Sequence, residues 1–440
     1  DFGLTPKKHL CKEVDNMINF RQYPNITKVV IPDAIQASAD ASFNSAFQNM
    51  KNLKSLYIGQ NAFSTTTYLG SWGYGFCMNC YNLTGKALCG NNVISMSNAY
   101  VNCRNLTTAV CGPNVTSMDH AYSGCTNLTT AVCGGKVTTM NVAYEDCTNL
   151  TTAVCGPNVT VMDSAYRDCI NLTTAVCGPN VTNMSYTYYG CTNITGTAVF
   201  GPNVKWAPSA YQNCINLTAP ACPPKVDRMT NLFYGCVNLV GEAVCGNNVI
   251  EMMNTYVNCY KMMGPAACGP NVVDMYFTYR NCYNITTAAC GPNVNRMMYA
   301  YHNCRNLAIP VCGDNVTNMT GAYSGCTNLT KAVFGPKVNQ ISSDGDFYSF
   351  RNSDHGAYYN CYNVRGNTYL YTNDITEVRY CFGGRNTMNV LNIYLPAQSN
   401  TLNACLKTDS YSLTGSTITW TNDSANNRYY NTEANIYIYP

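Results

Sequence analysis

The stretch C-R-N-L-T-T-A-V-C-G-P-N-V-T-S-M-D-H-A-Y-S-G, from Cys103 to Gly124, decides the fold because it begins again at Cys125. Its first cysteine returns every 22 or 23 residues, at Cys147, Cys169, Cys191, Cys214, Cys236, Cys259, Cys282, Cys304 and Cys326. A second cysteine follows the first after eight or nine residues in most copies. Self-similarity at a period of about 20–50 residues is typical of solenoids and other repeat arrays.

Apolar residues keep fixed places in every copy. A Leu such as Leu106 stands three residues after the first cysteine, and a Val such as Val115 stands four residues after the second. A Met follows three residues later, and an aromatic residue lies three residues before the next repeat begins, as Met118 and Tyr122 do. One coil cannot bury such a face alone, so stacked coils are expected to form a continuous core.

Each repeat reads as a strand followed by a return arc. The segment L-T-T-A-V-C is rich in β-branched residues, and the Gly-Pro-Asn that follows is typical of a turn. The stretch from Met118 to Cys125 would form the arc. We therefore predict a right-handed solenoid with one short parallel β-strand per coil and short helical or 3₁₀ return arcs.

The repeat resembles the BspA-like, or Treponema-type, leucine-rich repeat, whose unit runs roughly L-T-x-I-x-I-P-x-x-V-T-x-I-x-x-x-A-F-x-x-C. The stretch S-A-F-Q-N-M-K-N-L-K-S-L-Y-I-G at Ser45–Gly59 looks closest, together with V-V-I-P at Val29–Pro32. Later coils use Met for Ile, Tyr for Phe and Cys for the last strand Ile. The resemblance, which extends over about residues 20–395, implies a leucine-rich-repeat solenoid of the kind found on bacterial surfaces and in phages of gut bacteria, with roles in adhesion and recognition.

Departures from the period mark the predicted boundaries. Residues 1–44 are expected to form an N-terminal cap with a degenerate coil, and residues 45–340 the regular solenoid. Residues 341–395 are expected to hold degenerate coils with a loop insertion. Residues 396–440 lose the register and alternate like strands, which predicts a β-rich C-terminal cap.

Charge and hydropathy exclude several classes of partner. Only 11% of the residues are charged and the net charge is +3, which is too little to attract nucleic acid. No stretch of about eighteen apolar residues is present, so we expect no insertion into a membrane.

The 27 cysteines are predicted to be mostly free and buried rather than to form disulfides or bind metal. Phe200 and Phe334 stand in place of the second cysteine, and Met50 in place of the first, so both places tolerate a bulky apolar residue. Disulfides between stacked coils are the alternative, because equivalent cysteines would have a suitable Cα spacing. The four histidines are scattered and match no catalytic or metal motif, so we expect no enzyme and no cofactor.

Two surfaces could carry function. On the strand face, Val110, Val132, Val154, Val176, Val199 and Val244 and the flanking Thr108, Thr130, Thr152, Thr174 and Thr287 are expected to point outward, where they could support self-association. The second surface lies on the arcs of consecutive coils, where large aromatic and basic residues replace small or polar ones. Its candidate ligand-binding residues are Tyr260, Tyr276, Phe277, Arg280, Tyr283, Arg296, Tyr299, His302 and Arg305.

Tyr and Arg dominate binding hot spots, which favours recognition as the function. The expectation is an extracellular, non-enzymatic protein that binds a host-cell surface protein or glycan, either as a bacterial surface adhesin or as a phage tail receptor-binding protein on the virion. The alternative is a structural subunit or rigid spacer that self-assembles into a surface or virion structure.

Overall fold

The computed structural model describes residues 20, 23, 25–31, 45–59, 67–71, 74–87, 89–342, 356–385, 387–397, 399–408, 412–414 and 416–440. The chain divides into two compact units, which are called unit 1 (Asp1–Asn193) and unit 2 (Ile194–Pro440). Most of the predicted N-terminal cap, and residues 343–355 of the predicted loop insertion, lie outside the described residues.

Unit 1 is built from short, mostly parallel strands. They are β1 (Lys28–Ile31), β2 (Ser55–Ile58), β3 (Thr67–Tyr68), β4 (Gly70–Ser71), β5 (Tyr74–Gly75), β6 (Gly85–Lys86), β7 (Val93–Ser95) and β8 (Leu106–Thr108). β1 pairs with β2, β3 with β7 and β6 with β8 in parallel, whereas β4 and β5 are antiparallel. After β8 the coils are joined by single parallel bridges such as Thr108↔Thr130 and Thr152↔Thr174.

A second column of bridges in unit 1 was not predicted from the sequence. It joins residues that directly precede the repeat Met, in the order Ser95, Ser117, Thr139, Val161 and Asn183. Unit 2 has the same column, which runs Arg228, Glu251, Asp274, Arg296, Asn318 and Gln340. Neighbouring coils are therefore joined by backbone bridges along two lines: a column at the start of the arc, and bridges on the predicted strand between some of the coils.

Unit 2 continues this arrangement and ends in a larger sheet. Its elements are β9 (Met263–Pro265), β10 (Asn284–Thr287), β11 (Gly366–Tyr369), β12 (Leu391–Tyr394), the helix α1 (Asn400–Cys405), β13 (Thr421–Asp423), a 3₁₀ turn (Ser424–Asn426), β14 (Arg428–Asn431) and β15 (Ile436–Tyr439). β9 and β10 are parallel. The last five strands form one sheet in the order β11-β12-β15-β14-β13, in which the first three strands are parallel and the last two are antiparallel.

The return arcs of the regular coils are turns rather than the short helices or 3₁₀ segments that we expected. The backbone N–H groups of Met118, His120 and Tyr122 donate to carbonyls of the following coil, at 2.8–3.0 Å. A helix would need those N–H groups for its own carbonyls four residues back. His120 and Gly124 also have positive φ values of 56° and 74°, which interrupt helical geometry twice in one arc.

The core positions predicted from the repeat are buried. Leu106, Val115, Met118 and Tyr122 are fully buried, as are their equivalents in most described coils. The tyrosine rings stack from coil to coil, and those of Tyr122 and Tyr144 lie 5.5 Å apart and nearly parallel. These contacts confirm the prediction of a core completed by stacking.

Each buried tyrosine also closes its own coil. The Tyr122 hydroxyl donates to the carbonyl oxygen of Val110 at 2.6 Å and accepts from the N–H of the same residue at 3.1 Å. Tyr144 does the same to Val132, and Tyr166 to Val154. The side chain thereby satisfies both backbone polar groups of a half-buried residue, which would otherwise be costly to bury.

Candidate functional site

The nine predicted ligand-binding residues lie in unit 2 and come together in two adjoining stacks. We call these nine residues the arc patch. Its inner stack lies around Phe277 and Tyr299, and its outer stack consists of Tyr260, Tyr283 and Arg305. The inner stack uses the second residue after the repeat Met, and the outer stack uses the residue directly after the first repeat cysteine. Both places recur once per coil, so stacking of the coils aligns them.

The inner stack is more buried than we expected. Phe277 is 8% exposed and Tyr299 is 7% exposed, and they pack with Val257 in a small cluster, with their rings 4.9 Å apart and 14° from parallel. Both residues have a positive φ, 53° and 52°. The sequence placed these two side chains on a surface, whereas the structure buries them almost fully.

The ring of Tyr299 covers the next coil at Gly321. A Cβ atom at Gly321 would lie 2.2 Å from Cε1 of Tyr299, so no larger residue fits beneath the ring. The expectation of an exposed side chain is wrong for His302 as well, because it is buried and its ring centroid lies 5.8 Å from that of Tyr299. Three of the nine predicted residues, Phe277, Tyr299 and His302, are therefore buried.

The outer stack is accessible. Tyr260 is 36% exposed, and its ring stacks on that of Tyr283 at 5.0 Å and 10°. The guanidinium of Arg305 lies over the Tyr283 ring, 4.8 Å from its centroid. Partial burial, followed by the nearby Tyr283 and Tyr234 hydroxyls, raises the pKa of Tyr260, so the phenol stays protonated and can donate a hydrogen bond.

Asparagines fix the spacing of this outer stack. Asn258 and Asn281 precede the repeat cysteines with φ values of 63°, a region that Asn tolerates better than most residues. The Asn281 side-chain amide donates to Oδ1 of Asn258 at 2.7 Å, and that of Asn303 donates to Oδ1 of Asn281 at 3.0 Å. Since each asparagine lies two residues before a member of the stack, this amide ladder holds the three side chains in register.

Two further arginines border the patch. The Arg280 guanidinium lies 5.1 Å from the ring centroid of Phe277. Arg296 lies 5.8 Å from the ring centroid of Tyr276 and is paired with Asp274 at 3.1 Å. The patch therefore combines flat aromatic surfaces with guanidinium groups, which donate hydrogen bonds to carboxylate, sulfate or phosphate oxygens.

A smaller cluster of the same type, overlooked in the sequence, lies in unit 1. The rings of Tyr186 and Tyr189 lie 6.2 Å apart, and the Arg167 guanidinium is 5.3 Å from the Tyr189 centroid. Arg167 also pairs with Glu145 at 3.5 Å and with Asp168 at 3.4 Å. Tyr186 and Tyr189 occupy the same repeat places as Phe277 and Arg280, so comparing those places along the whole chain would have revealed the cluster.

The strand face differs in part from its prediction. Thr130, Thr152 and Thr174 are exposed as expected. Val110 and its equivalents are mostly half-buried, and Val199 is exposed. The valines thus form a less open apolar stripe than the alternation of the sequence suggested.

The cysteines of the described residues are free, and none of their groupings with His, Asp or Glu could hold a metal ion. The first repeat cysteine is buried and donates to a carbonyl of the preceding coil, as Cys125 does to Tyr100 at 3.1 Å. The second is half-buried, as at Cys111. Burial raises the pKa of Cys111 to about 11 and that of Cys125 to about 12, so both thiols stay protonated and weakly nucleophilic at neutral pH.

The stacked coils, the parallel bridges and the repeated core positions define a leucine-rich-repeat solenoid. A family model described as the BspA type leucine rich repeat region matches residues 72–195, 141–262, 275–376 and 297–432. The chain belongs to this family. None of the helices in the described part of the chain is both long and apolar enough to cross a membrane.

The chain is similar to several solved structures of other proteins. A leucine-rich repeat protein from Bacteroides ovatus is 16% identical, with a TM-score of 0.56 over 72% of this chain and 82% of that one. A leucine rich cell surface protein from Faecalibacterium prausnitzii is 15% identical, with a TM-score of 0.37 over 88% and 91%. The pneumococcal vaccine antigen PcpA is 9% identical, with a TM-score of 0.41 over 91% and 90%. No curated protein sequence matches the chain.

Proposed function

We propose that the protein is a non-enzymatic extracellular recognition or adhesion protein, and that the arc patch binds a cell-surface ligand that carries carboxylate or sulfate groups. The observation that carries this proposal is the outer stack, in which the exposed Tyr260, the half-buried Tyr283 and the exposed Arg305 lie in register. Rigid aromatic anchors lose little conformational entropy on binding, and Tyr and Arg are the residues most often found at hot spots.

The charge of the arc patch favours an acidic ligand. Arg280, Arg296 and Arg305 contribute three guanidinium groups, and the structure pairs one of them with the carboxylate of Asp274. Low net charge over the rest of the chain leaves this local excess as a specific feature rather than part of a general basic surface. A ligand rich in carboxylate or sulfate oxygens would accept bidentate hydrogen bonds there.

Membership of the BspA-type family supports a place outside the cell, and the protonated state of the thiols is compatible with it. Proteins of this kind occur on bacterial surfaces and in phages, so the bacterial cell surface and the virion are the proposed locations, and adhesin or tail receptor-binding protein the proposed roles. Thiols with raised pKa values react slowly with oxidants, so a cysteine-rich chain can persist there without cross-linking.

The test of this function is a double variant of the outer stack. Replacing Tyr283→Ala and Arg305→Ala together should weaken binding to epithelial cells, or to arrays of sialylated and sulfated glycans, by about tenfold or more, as loss of a hot spot does. The melting temperature should shift by no more than about 2–4 °C, since both side chains lie at the surface.

Unit 1 offers a matched control for that variant. Arg104 lies 5.2 Å from the ring centroid of Tyr81, and the two residues occupy the same repeat places as Arg305 and Tyr283. Tyr81→Ala with Arg104→Ala removes an equivalent cation–π pair away from the patch and should leave binding unchanged. If the two double variants bind equally well, the arc patch is not the recognition surface.

The strand face supports a second candidate, a structural subunit or rigid spacer that self-assembles. Thr130, Thr152 and Thr174 repeat on neighbouring coils of unit 1 and are exposed, which provides a regular surface for a second copy. Size-exclusion chromatography with light scattering at high micromolar concentration distinguishes the two functions. A purely monomeric protein that still binds cells would contradict the assembly function and support recognition.

A further inference from the structure

The outer face of the C-terminal sheet in unit 2 carries a second aromatic surface, separate from the arc patch. Along β11, β12 and β15, Thr368, Ile393 and Ile438 are buried, and alternation places Tyr369, Tyr394 and Tyr439 on the opposite face. These three tyrosines are direct neighbours in the parallel register of the strands. We call this row the tyrosine platform.

The platform is a continuous stack of rings. The centroids of Tyr369 and Tyr394 are 5.0 Å apart with planes 20° from parallel, and those of Tyr394 and Tyr439 are 4.9 Å apart at 15°. Tyr369 is 46% exposed at one end of the row. The strand spacing therefore presents three phenol groups at regular intervals along a line across the sheet.

Polar groups extend the platform on the same face. Arg428 donates from Nη1 to the Tyr439 hydroxyl at 3.4 Å and lies 5.0 Å from the ring centroid of Tyr437. In the adjacent row, the Asn392 amide donates to Oδ1 of Asn367 at 2.8 Å. Hydroxyl, amide and guanidinium groups thus alternate with ring surfaces over neighbouring strands.

The two charged outward residues of the C-terminal sheet, Arg428 and Asp423, form an ion pair. Arg428 Nε lies 2.9 Å from Oδ2 of Asp423, and a hydrogen bond from the Asn426 side chain, followed by this contact, lowers the pKa of Asp423. Hydrogen bonds to Tyr439 and Asp423 raise the pKa of Arg428 in turn. The pair therefore stays ionised but mutually neutralised, which distinguishes this face from the arc patch with its excess of arginine.

The outward residues of the five described strands include no aliphatic side chain. They are Asn367, Tyr369, Asn392, Tyr394, Thr421, Asp423, Arg428, Tyr430, Tyr437 and Tyr439. The cores of homodimer interfaces are distinctly apolar, so a face composed only of tyrosine and polar groups is poorly suited to a second copy of the chain. Tyrosine combines an apolar ring with a polar hydroxyl, which suits a ligand that has both characters.

We propose that the tyrosine platform is a second binding site, and that it takes an extended neutral glycan. The exposed parts of the rings contact C–H groups of successive sugars along the row, while the phenol, amide and guanidinium groups exchange hydrogen bonds with sugar hydroxyls. A row of rings that crosses three strands fits an extended polymer rather than a single small sugar, and the mutual neutralisation of Arg428 and Asp423 disfavours acidic polysaccharides.

The experiment is affinity electrophoresis of the whole chain in native gels that contain hydroxyethyl cellulose, galactomannan or mixed-linkage β-glucan. The wild-type protein should be retarded by at least one of them. Tyr369→Ala with Tyr394→Ala should weaken that retardation about tenfold or more in apparent dissociation constant. Tyr369→Phe with Tyr394→Phe keeps the rings and should retain part of the binding.

Two controls make the outcome decisive. Tyr57→Ala removes an exposed tyrosine from β2 in unit 1 and should leave retardation unchanged. Tyr283→Ala with Arg305→Ala should also leave it unchanged, so the platform and the arc patch succeed or fail separately. Absence of wild-type retardation, retention of full binding by the double alanine variant, or binding of heparin alone would each overturn the proposal, as would dimerisation that the same variant abolishes.

Discussion

At the scale of single residues, the cysteines show which properties the repeat pattern predicts and which it does not. Replacement by Phe and Met predicted that both repeat cysteines are mostly free and buried; in the described residues both are free, the first is buried and the second is half-buried. The sequence did not show that the first cysteine also donates to a carbonyl of the preceding coil, as Cys147 does to Tyr122 at 3.2 Å. That hydrogen bond forms between two stacked coils, so the sequence of a single repeat cannot reveal it.

The repeat leucine offers a direct check of the register. Leu172 is fully buried, so Leu172→Ala should reduce the free energy of unfolding by about 2–5 kcal/mol, as truncation of a buried Leu does. Thr152→Ala, on an exposed side chain of the same unit, should change it by no more than about 0.5 kcal/mol. Equal urea midpoints for the two variants would show that the assignment of inward and outward positions is wrong.

At the scale of elements, the strand was easier to predict than the arc. The β-branched segment after each first cysteine predicted the bridges at Thr108 and Thr130. The second bridge column was missed because the residues before the repeat Met vary in type, from Ser117 to Arg296, and share only their backbone role. The arc was misjudged because its N–H groups bond to the next coil, a choice that local propensity cannot reveal.

Two neighbouring glycines test how closely the coils approach. A Cβ at Gly134 would lie 2.9 Å from Sγ of Cys111, whereas one at Gly135 would meet nothing within 4 Å. Gly134→Ala should therefore destabilise the protein by about 1–3 kcal/mol through overpacking, while Gly135→Ala should not. Adding Cys111→Ala to Gly134→Ala should restore part of the loss in a urea titration, and failure to do so would mean that the thiol is not the obstacle.

At the scale of the whole molecule, the structure brings the predicted site residues together but buries three of them, Phe277, Tyr299 and His302. The change from small to large residues around Phe277 and Tyr299 was visible in the repeat. Their burial was not, because it depends on neighbours that stacking supplies: Val257 completes the cluster, and Gly321 leaves room beneath the Tyr299 ring. The role of the arc patch itself stays a prediction.

Stability of the whole fold should depend on pH in the alkaline range. Burial raises the pKa of Cys111 from 9.0 to about 11 and that of Cys125 to about 12, and raises the pKa of the core tyrosines well above 10.0. The folded chain thus holds these protons more tightly than the unfolded chain, so the added stability is complete below pH 9 and is lost as pH rises towards 11–12.

Melting temperatures measured from pH 7 to 11 under reducing conditions should therefore stay level to about pH 9 and then fall. Recovery on return to pH 8 would separate this effect from chemical damage. A constant melting temperature up to pH 11 would contradict the burial of the thiols and phenols.

The tyrosine that closes each coil has a consequence for the evolution of such arrays. Because Tyr122 satisfies both backbone groups of Val110 from within one repeat, and Tyr144 does so for Val132, each unit carries its own partner for that strand residue. Unequal recombination between near-identical gene segments can then insert or delete a whole repeat, and the new neighbours meet the same surfaces as the old. Array length can drift between strains while the individual coil remains intact, so variants of this protein should differ by multiples of the period rather than by arbitrary insertions.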